Sequence, residues 1–191
     1  MSTCCKCDCH KPKPVETFTH EGSKVALYTD DDPSSPREYD NLSHMVCAHR
    51  RYTLGDEQRR EAETEEELRE RVPGIIAILP LYLYDHSGIT ISTGTFGCAW
   101  DSGQVGWAYV TQESAESMGC VGGDWTEEKL CESIRMEVEE YDKFLTGDVY
   151  GYVITEPDGS EGDSCWSLLG IECARQEARC AIGLTREEGA S

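Results

Sequence analysis

The hydrophobic pattern is densest between Gly74 and Thr111 (GIIAILPLYLYDHSGITISTGTFGCAWDSGQVGWAYVT), the most apolar stretch of the chain. Ile75 to Tyr84 is a near-continuous apolar run, as a strand buried on both faces requires. Pro80 interrupts it. Proline cannot donate to a β ladder, so an edge position, a bulge or a break is expected there. Asp85-His86-Ser87-Gly88 has turn composition. Ile89 to Thr93 alternates apolar and polar like a half-buried strand, and Val105 to Val110 supplies a third after the Gly94–Gly103 loop. Upstream, Lys24 to Thr29 and Met45 to Tyr52 also read as strands. Glu57 to Arg71 is charged throughout and reads as an exposed helix or a mobile insertion.

Downstream the period changes. Leu130, Ile134, Val138, Tyr141 and Leu145 recur at spacings of three and four, which predicts an amphipathic helix from Thr126 to Leu145. A shorter helix is expected over 113–118. Val149 to Thr155 is a strand, and Glu156-Pro157-Asp158-Gly159 is a tight-turn sequence, so a hairpin returning through Ser167 follows. Ile171 to Ile182 closes the series as a helix. Strands in short-linked groups with helices between them predict an α+β fold. The expectation is one antiparallel sheet of about five to seven strands with the long helix packed on one face. It occupies a single domain over 24–182, between a Cys-rich tail over 1–23 and a polar tail over 183–191.

Composition narrows the function. The chain holds 37 acidic and 17 basic residues, a formal charge of −20. A broad basic surface for nucleic acid is excluded. What remains is a solvated acidic surface, or one that engages a basic partner. No apolar run reaches membrane-spanning length and no apolar signal core opens the sequence, so a cytoplasmic protein without a membrane partner is expected. The eleven cysteines, an odd number, then read as free thiols. Cys4, Cys7, Cys9 and His10 are candidate zinc ligands by type. Their Cys-x-Cys-x-Cys-His spacing is not that of a zinc ribbon or finger, so no cofactor is expected and zinc is the alternative.

Candidate chemistry gathers in the turns. His86 with Cys98 has the makings of a base and a nucleophile, and His86 with Asp101, Asp85 or His49 those of a divalent metal site. The competing reading is that the turn aspartates brace the backbone. Arg50 and Arg51 read as ion-pair partners for acids, with a phosphate-like anion as the alternative. Trp100, Trp107 and Trp166 are read as core, or as a contact surface.

Four stretches resemble a family of small bacteriophage and prophage accessory proteins. They are YDNLSHMVCAHRRYTLGD from Tyr39, LPLYLYDHSGITIST from Leu79, WDSGQVGWAYV from Trp100, and FLTGDVYGYVI from Phe144 followed by DSCW ending at Trp166. The resemblance covers about residues 39 to 170 and transfers no catalytic residue. It implies an accessory protein acting in the bacterial cytoplasm. Between Asp101 and Gly170 acids outnumber bases by about five to one. The expected function is binding: inhibition or modulation of a host protein with a basic surface. A defence nuclease of restriction or CRISPR type is a natural target, met through DNA mimicry by Glu128, Glu132, Glu139 and Glu140. The alternative is a small hydrolase or metalloenzyme using His86 with Cys98 or Asp101.

Overall fold

Alternation along the strands of the computed structural model builds two sheets, where the sequence pattern predicts one. The structure describes residues 13–98, 100–120, 122 and 125–184. Cys4, Cys7, Cys9, His10 and most of the C-terminal polar stretch lie outside the described residues. The α+β class holds, with mostly antiparallel pairing and four α-helices among the described residues. The chain divides into two compact units, residues 34–146 and the segments flanking them.

The flanking segments form a four-stranded antiparallel sheet. Its strands are β1 (Glu16–His20), β2 (Ser23–Thr29), β8 (Val149–Thr155) and β9 (Glu161–Leu169), in the order β1-β2-β8-β9. Val25 lies opposite Ile154 and Leu27 opposite Tyr152, so these four share a face. That face is covered by α4 (Ile171–Ala181), whose Ala174 and Ala178, one turn apart, are fully buried against it. Strand β1 corrects the reading of 1–23 as tail throughout. It turns into β2 through Glu21 and Gly22, both at positive φ (48° and 89°), the geometry of a tight primed turn. Its Glu16 holds Arg175 of α4 through two guanidinium contacts of 2.8 and 2.7 Å. The Pro-Asp-Gly hairpin joins β8 to β9 as expected, with Gly159 N–H donating to the Glu156 carbonyl at 2.8 Å.

Residues 34–146 hold the second sheet, in the order β4-β3-β7-β5-β6. Its strands are β3 (His44–Cys47), β4 (Glu57–Gln58), β5 (Ile75–Asp85), β6 (Ile89–Ser92) and β7 (Ser102–Thr111), and only the β3–β4 pair is parallel. The two faces separate cleanly. Met45, Cys47, Ala77, Leu81, Leu83, Ala108 and Val110 point to α3 (Glu127–Thr146), which meets them with Leu130, Ile134, Val138 and Tyr141. Val46, Ile78, Trp107 and Tyr109 point the other way, towards Leu68 of α1 (Glu65–Arg71). A fourth helix, α2 (Gln112–Ser117), follows β7 directly.

The charged segment is therefore not one long helix. Glu57 and Gln58 pair with β3, and only Glu65 to Arg71 is helical, started by a Thr64–Glu67 capping box. One fully buried residue, Leu68, anchors it. Pro80 conforms to its chemistry. It pairs with Trp107 of β7, but β6 reaches only Tyr82 to Asp85, so β5 has a neighbour on one side alone at the proline. A register shift follows immediately, between Leu81 and Tyr82.

Two carboxylates bolt α3 in place. Asp142 accepts from Ile91 N–H at 2.7 Å and from the Thr90 hydroxyl. Glu137 accepts from the backbone N–H of Leu42 (2.7 Å) and Ser43 (3.1 Å), and from Arg37 (3.2 Å). Arg37 also clasps Asp56 through Nε (3.0 Å) and Nη2 (2.6 Å), and donates to Asn41 and to the Ser43 carbonyl. All five guanidinium hydrogens are thereby used, in a side chain only 5% exposed.

Candidate functional site

The turns at one end of the five-stranded sheet bring together His49, His86, Cys98 and Asp101. Strand β5 runs out at Asp85, and Ser87 at φ 60° turns the chain into β6. The loop before β7 returns to the same place, because Asp85 N–H donates to the Asp101 carbonyl at 2.8 Å. His86, Cys98 and Asp101 thus meet around one carboxylate. The His86 Nδ1 lies 3.4 Å from Asp101 Oδ2, and the Cys98 thiol points at the same oxygen from 3.8 Å. The Ser102 hydroxyl donates to the Cys98 carbonyl and holds the loop. Tyr84 lies beside this group, 6.0 Å from the His86 ring and 5.7 Å from Phe96.

This geometry differs from a nucleophile–base pair. Such a pair needs the imidazole on the thiol. Here both side chains address the carboxylate, and no hydrogen bond joins Cys98 to His86 among the described residues. Among the described residues no group of three or more His, Cys, Asp or Glu side chains is placed to hold a metal ion. Burial pushes the Cys47 thiol up to about 12.

The loop after β3 arrives at the same end. Arg51 forms an ion pair with Asp85, whose other oxygen accepts from the Tyr52 hydroxyl at 3.3 Å. The Asp85 carboxylate thus ties two loops together through side chains, where the sequence suggests backbone bracing. His49 stacks on Tyr52 with ring centroids 5.0 Å apart and planes 6° from parallel. Its Nδ1 accepts the backbone N–H groups of Arg51 and Tyr52, both at 3.3 Å. That places the ring proton on Nε2.

A titration follows from this arrangement. Burial first, then the charge of Arg51, hold the His49 pKa below the ordinary 6.5. The contribution of neutral His49 to stability is present above the unfolded value and is lost as pH falls through the folded one. Imidazole NMR is expected to give a midpoint below 6.5, with the Arg51 and Tyr52 amide signals moving on the same curve. A midpoint at or above the ordinary value would rule the arrangement out.

The acidic candidates lie elsewhere in the unit. Glu128, Glu132, Glu139 and Glu140 are all exposed on α3. At 100° per residue, Glu128, Glu132 and Glu139 fall in one line opposite the buried stripe, and Glu140 lies on the flank. Lys143 reaches Glu139 at 3.6 Å, Arg135 sits in the same line, and Met136 between them is 60% exposed. Thr126 caps the helix, its hydroxyl accepting from Lys129 N–H at 3.4 Å.

The tryptophans divide by position. Trp107 is half-buried and its indole N–H donates to the Glu63 carbonyl at 2.8 Å. Trp166 lies flat on Gly151 of β8, where an added methyl would stand 2.2 Å from the indole. Trp100 is 96% exposed. Its exposure and the cleft it shares with Arg50 were not readable from spacing; the one local signal is an aromatic residue set among turn formers in CAWDSG. No described helix is long and apolar enough to cross a membrane. No protein-family model matches the chain, and neither a comparison with curated proteins nor one with solved structures finds a match.

Proposed function

We propose that this is an acidic binding protein of phage or prophage origin that inhibits or modulates a bacterial host protein in the cytoplasm. Its target carries a basic surface, and a defence nuclease fits that description. The observation that supports the reading is the outward face of α3. Glu128, Glu132 and Glu139 stand exposed in line on a helix whose opposite face is locked to the sheet, with Glu140 beside them. Glu128 and Glu139 are about 16 Å apart along the axis at the usual helical rise. Carboxylates held on a rigid element present ordered negative charge to a nucleic-acid-binding groove, and they do so with little reorganisation.

The test compares two baits in a bacterial lysate, the wild type and the E128K/E132K/E139K variant, each eluted by a salt gradient. The wild type is expected to retain a basic nucleic-acid enzyme released at raised salt, and the variant to lose at least about tenfold of it. Equal capture by both baits would sink the proposal.

A second reading rests on the convergence of His86, Cys98 and Asp101. In it the protein is a small hydrolase or metalloenzyme, with the Asp101 carboxylate orienting His86. Its mark would be stoichiometric metal in the purified protein, or a hydrolytic activity abolished by His86→Ala with the fold intact.

A further inference from the structure

Where β3 ends, a cleft of about 370 Å³ opens beside β7. Its walls include His49, Arg50, Leu83, Trp100, Asp101 and Gln104. The volume suits a small ligand, since such sites begin near roughly 300 Å³. Three features of the lining bear on what that ligand is.

The first is a strand edge. Strand β3 pairs with β7 only as far as Cys47 opposite Gly106, with one further bond from Ala48 N–H to the Val105 carbonyl at 2.7 Å. Gly103 and Gln104 therefore have β5 on one side and the cleft on the other. Asp85 N–H bonds the Asp101 carbonyl, so alternation turns the backbone of Gly103 to β5 and leaves the N–H and C=O of Gln104 facing the cleft, a donor and an acceptor for the edge of a heteroaromatic base. Two residues are too short a stretch to add a peptide strand. The second is Trp100, whose nearly bare indole offers a planar face at the cleft wall. Aromatic faces of this kind hold bases by stacking. The third is charge. Arg51 is taken up by Asp85, whereas Arg50 is exposed and enters no ion pair among the described residues. A guanidinium in that state is a phosphate partner. Asp101, already facing His86, remains an acceptor for ribose hydroxyls or a base amino group. The overall charge of −20 sets the upper size, because a polyanion would be repelled where a single phosphate would not.

We infer that this cleft binds a nucleoside monophosphate, with Trp100 stacking on the base, the Gln104 backbone hydrogen-bonding it and Arg50 pairing with the phosphate. This goes beyond the α3 reading and does not depend on it.

The experiment is titration of the full chain with AMP, GMP, CMP and UMP, followed in amide NMR spectra, with adenosine and inorganic phosphate as separate arms. At least one nucleotide is expected to shift the Ala48–Arg51 and Gly103–Val105 amides and to bind about tenfold more tightly than adenosine or phosphate alone. Trp100→Ala should weaken that binding about tenfold or more. Arg50→Ala should bring the nucleotide down to the affinity of adenosine. Both residues are exposed, and the spectra themselves report that each variant is folded. Three results would overturn the inference: no shifts with any nucleotide at millimolar concentration, phosphate binding as tightly as AMP, or nucleotide affinity unchanged in both variants.

Discussion

Arg37→Ala is expected to cost about 3 kcal/mol of stability, at the lower end of what removing one partner of a buried ion pair does. The guanidinium joins Asp56 and Glu137, carboxylates whose side chains are each 16% exposed, and also neutralises them. Alanine would strand both charges. Each keeps some support, since Asp56 accepts from Met45 N–H at 2.7 Å and Glu137 from Leu42 N–H at 2.7 Å, which limits the loss. Urea unfolding of residues 34–146, followed by α3 signals, measures it. Arg37→Lys should fall between, because an ammonium keeps the charge but cannot form the two-armed contact with Asp56. Burial works to lower the Arg37 pKa, and Asp56 and Glu137 outweigh it, so the folded value is raised above the ordinary guanidinium value. A raised base contributes stability that is present below its unfolded pKa and lost only above it. The Arg37 term is therefore constant across the neutral range. A loss well under 1 kcal/mol would show that water already screens the cluster.

The second large effect is expected at Gly106→Ala. A Cβ there would stand 1.9 Å from the Val46 carbonyl oxygen and 2.9 Å from the Cys47 Cα. Both obstacles are backbone, so no rotamer change relieves the clash. Strand β3 must move off β7, and β4, which pairs only with β3, must follow. Overpacking in a well-packed interior costs about 1–3 kcal/mol, and an obstacle made of backbone puts this site at the top of that range or above. Amide exchange at Met45 to Cys47 should accelerate strongly while α3 remains protected. Gly103→Ala in the same strand is the control. Nothing lies within 4 Å of its added methyl, so little change is expected. Normal protection of β3 in Gly106→Ala would refute the packing described here.

Much of the fold was legible locally. The stripe from Leu130 to Tyr141 was readable because helical period is a short-range property, and all four of its central residues are buried. The β8–β9 hairpin was readable because Pro-Asp-Gly dictates its own turn. Strand β1 was not: Glu-Thr-Phe-Thr-His is polar, and its order comes from β2 and from Arg175, 159 residues away from Glu16. Its turn uses Glu-Gly, a weaker signal than Asn-Gly. The length of the helix in the charged segment was also misjudged. Glu57 and Gln58 have strand geometry only because β3 lies beside them.

The candidate site shows the same division. That Asp85, His86, Cys98 and Asp101 occupy turns at a sheet end followed from the strand pattern. Which of them touch did not, nor that Arg50 and Trp100 line one cleft there. Helical period sets Glu137 and Asp142 off the outward line of α3, but that Leu42, Ser43 and Arg37 meet the one and Thr90 and Ile91 the other was not legible.

Sequence alone determined the α+β class, the amphipathic helix, the turns and the acidic balance, because these depend on residues within a few positions of one another. The tertiary structure alone decided that there are two sheets. It also decided which carboxylates of α3 are bonded to the rest of the unit and which stand exposed. Those outcomes depend on pairings such as β2 with β8 and Arg37 with Glu137, and the latter pair lies 100 residues apart. Nothing in the local pattern of hydrophobic and polar positions specifies a contact at that separation; the mutual fit of whole faces does.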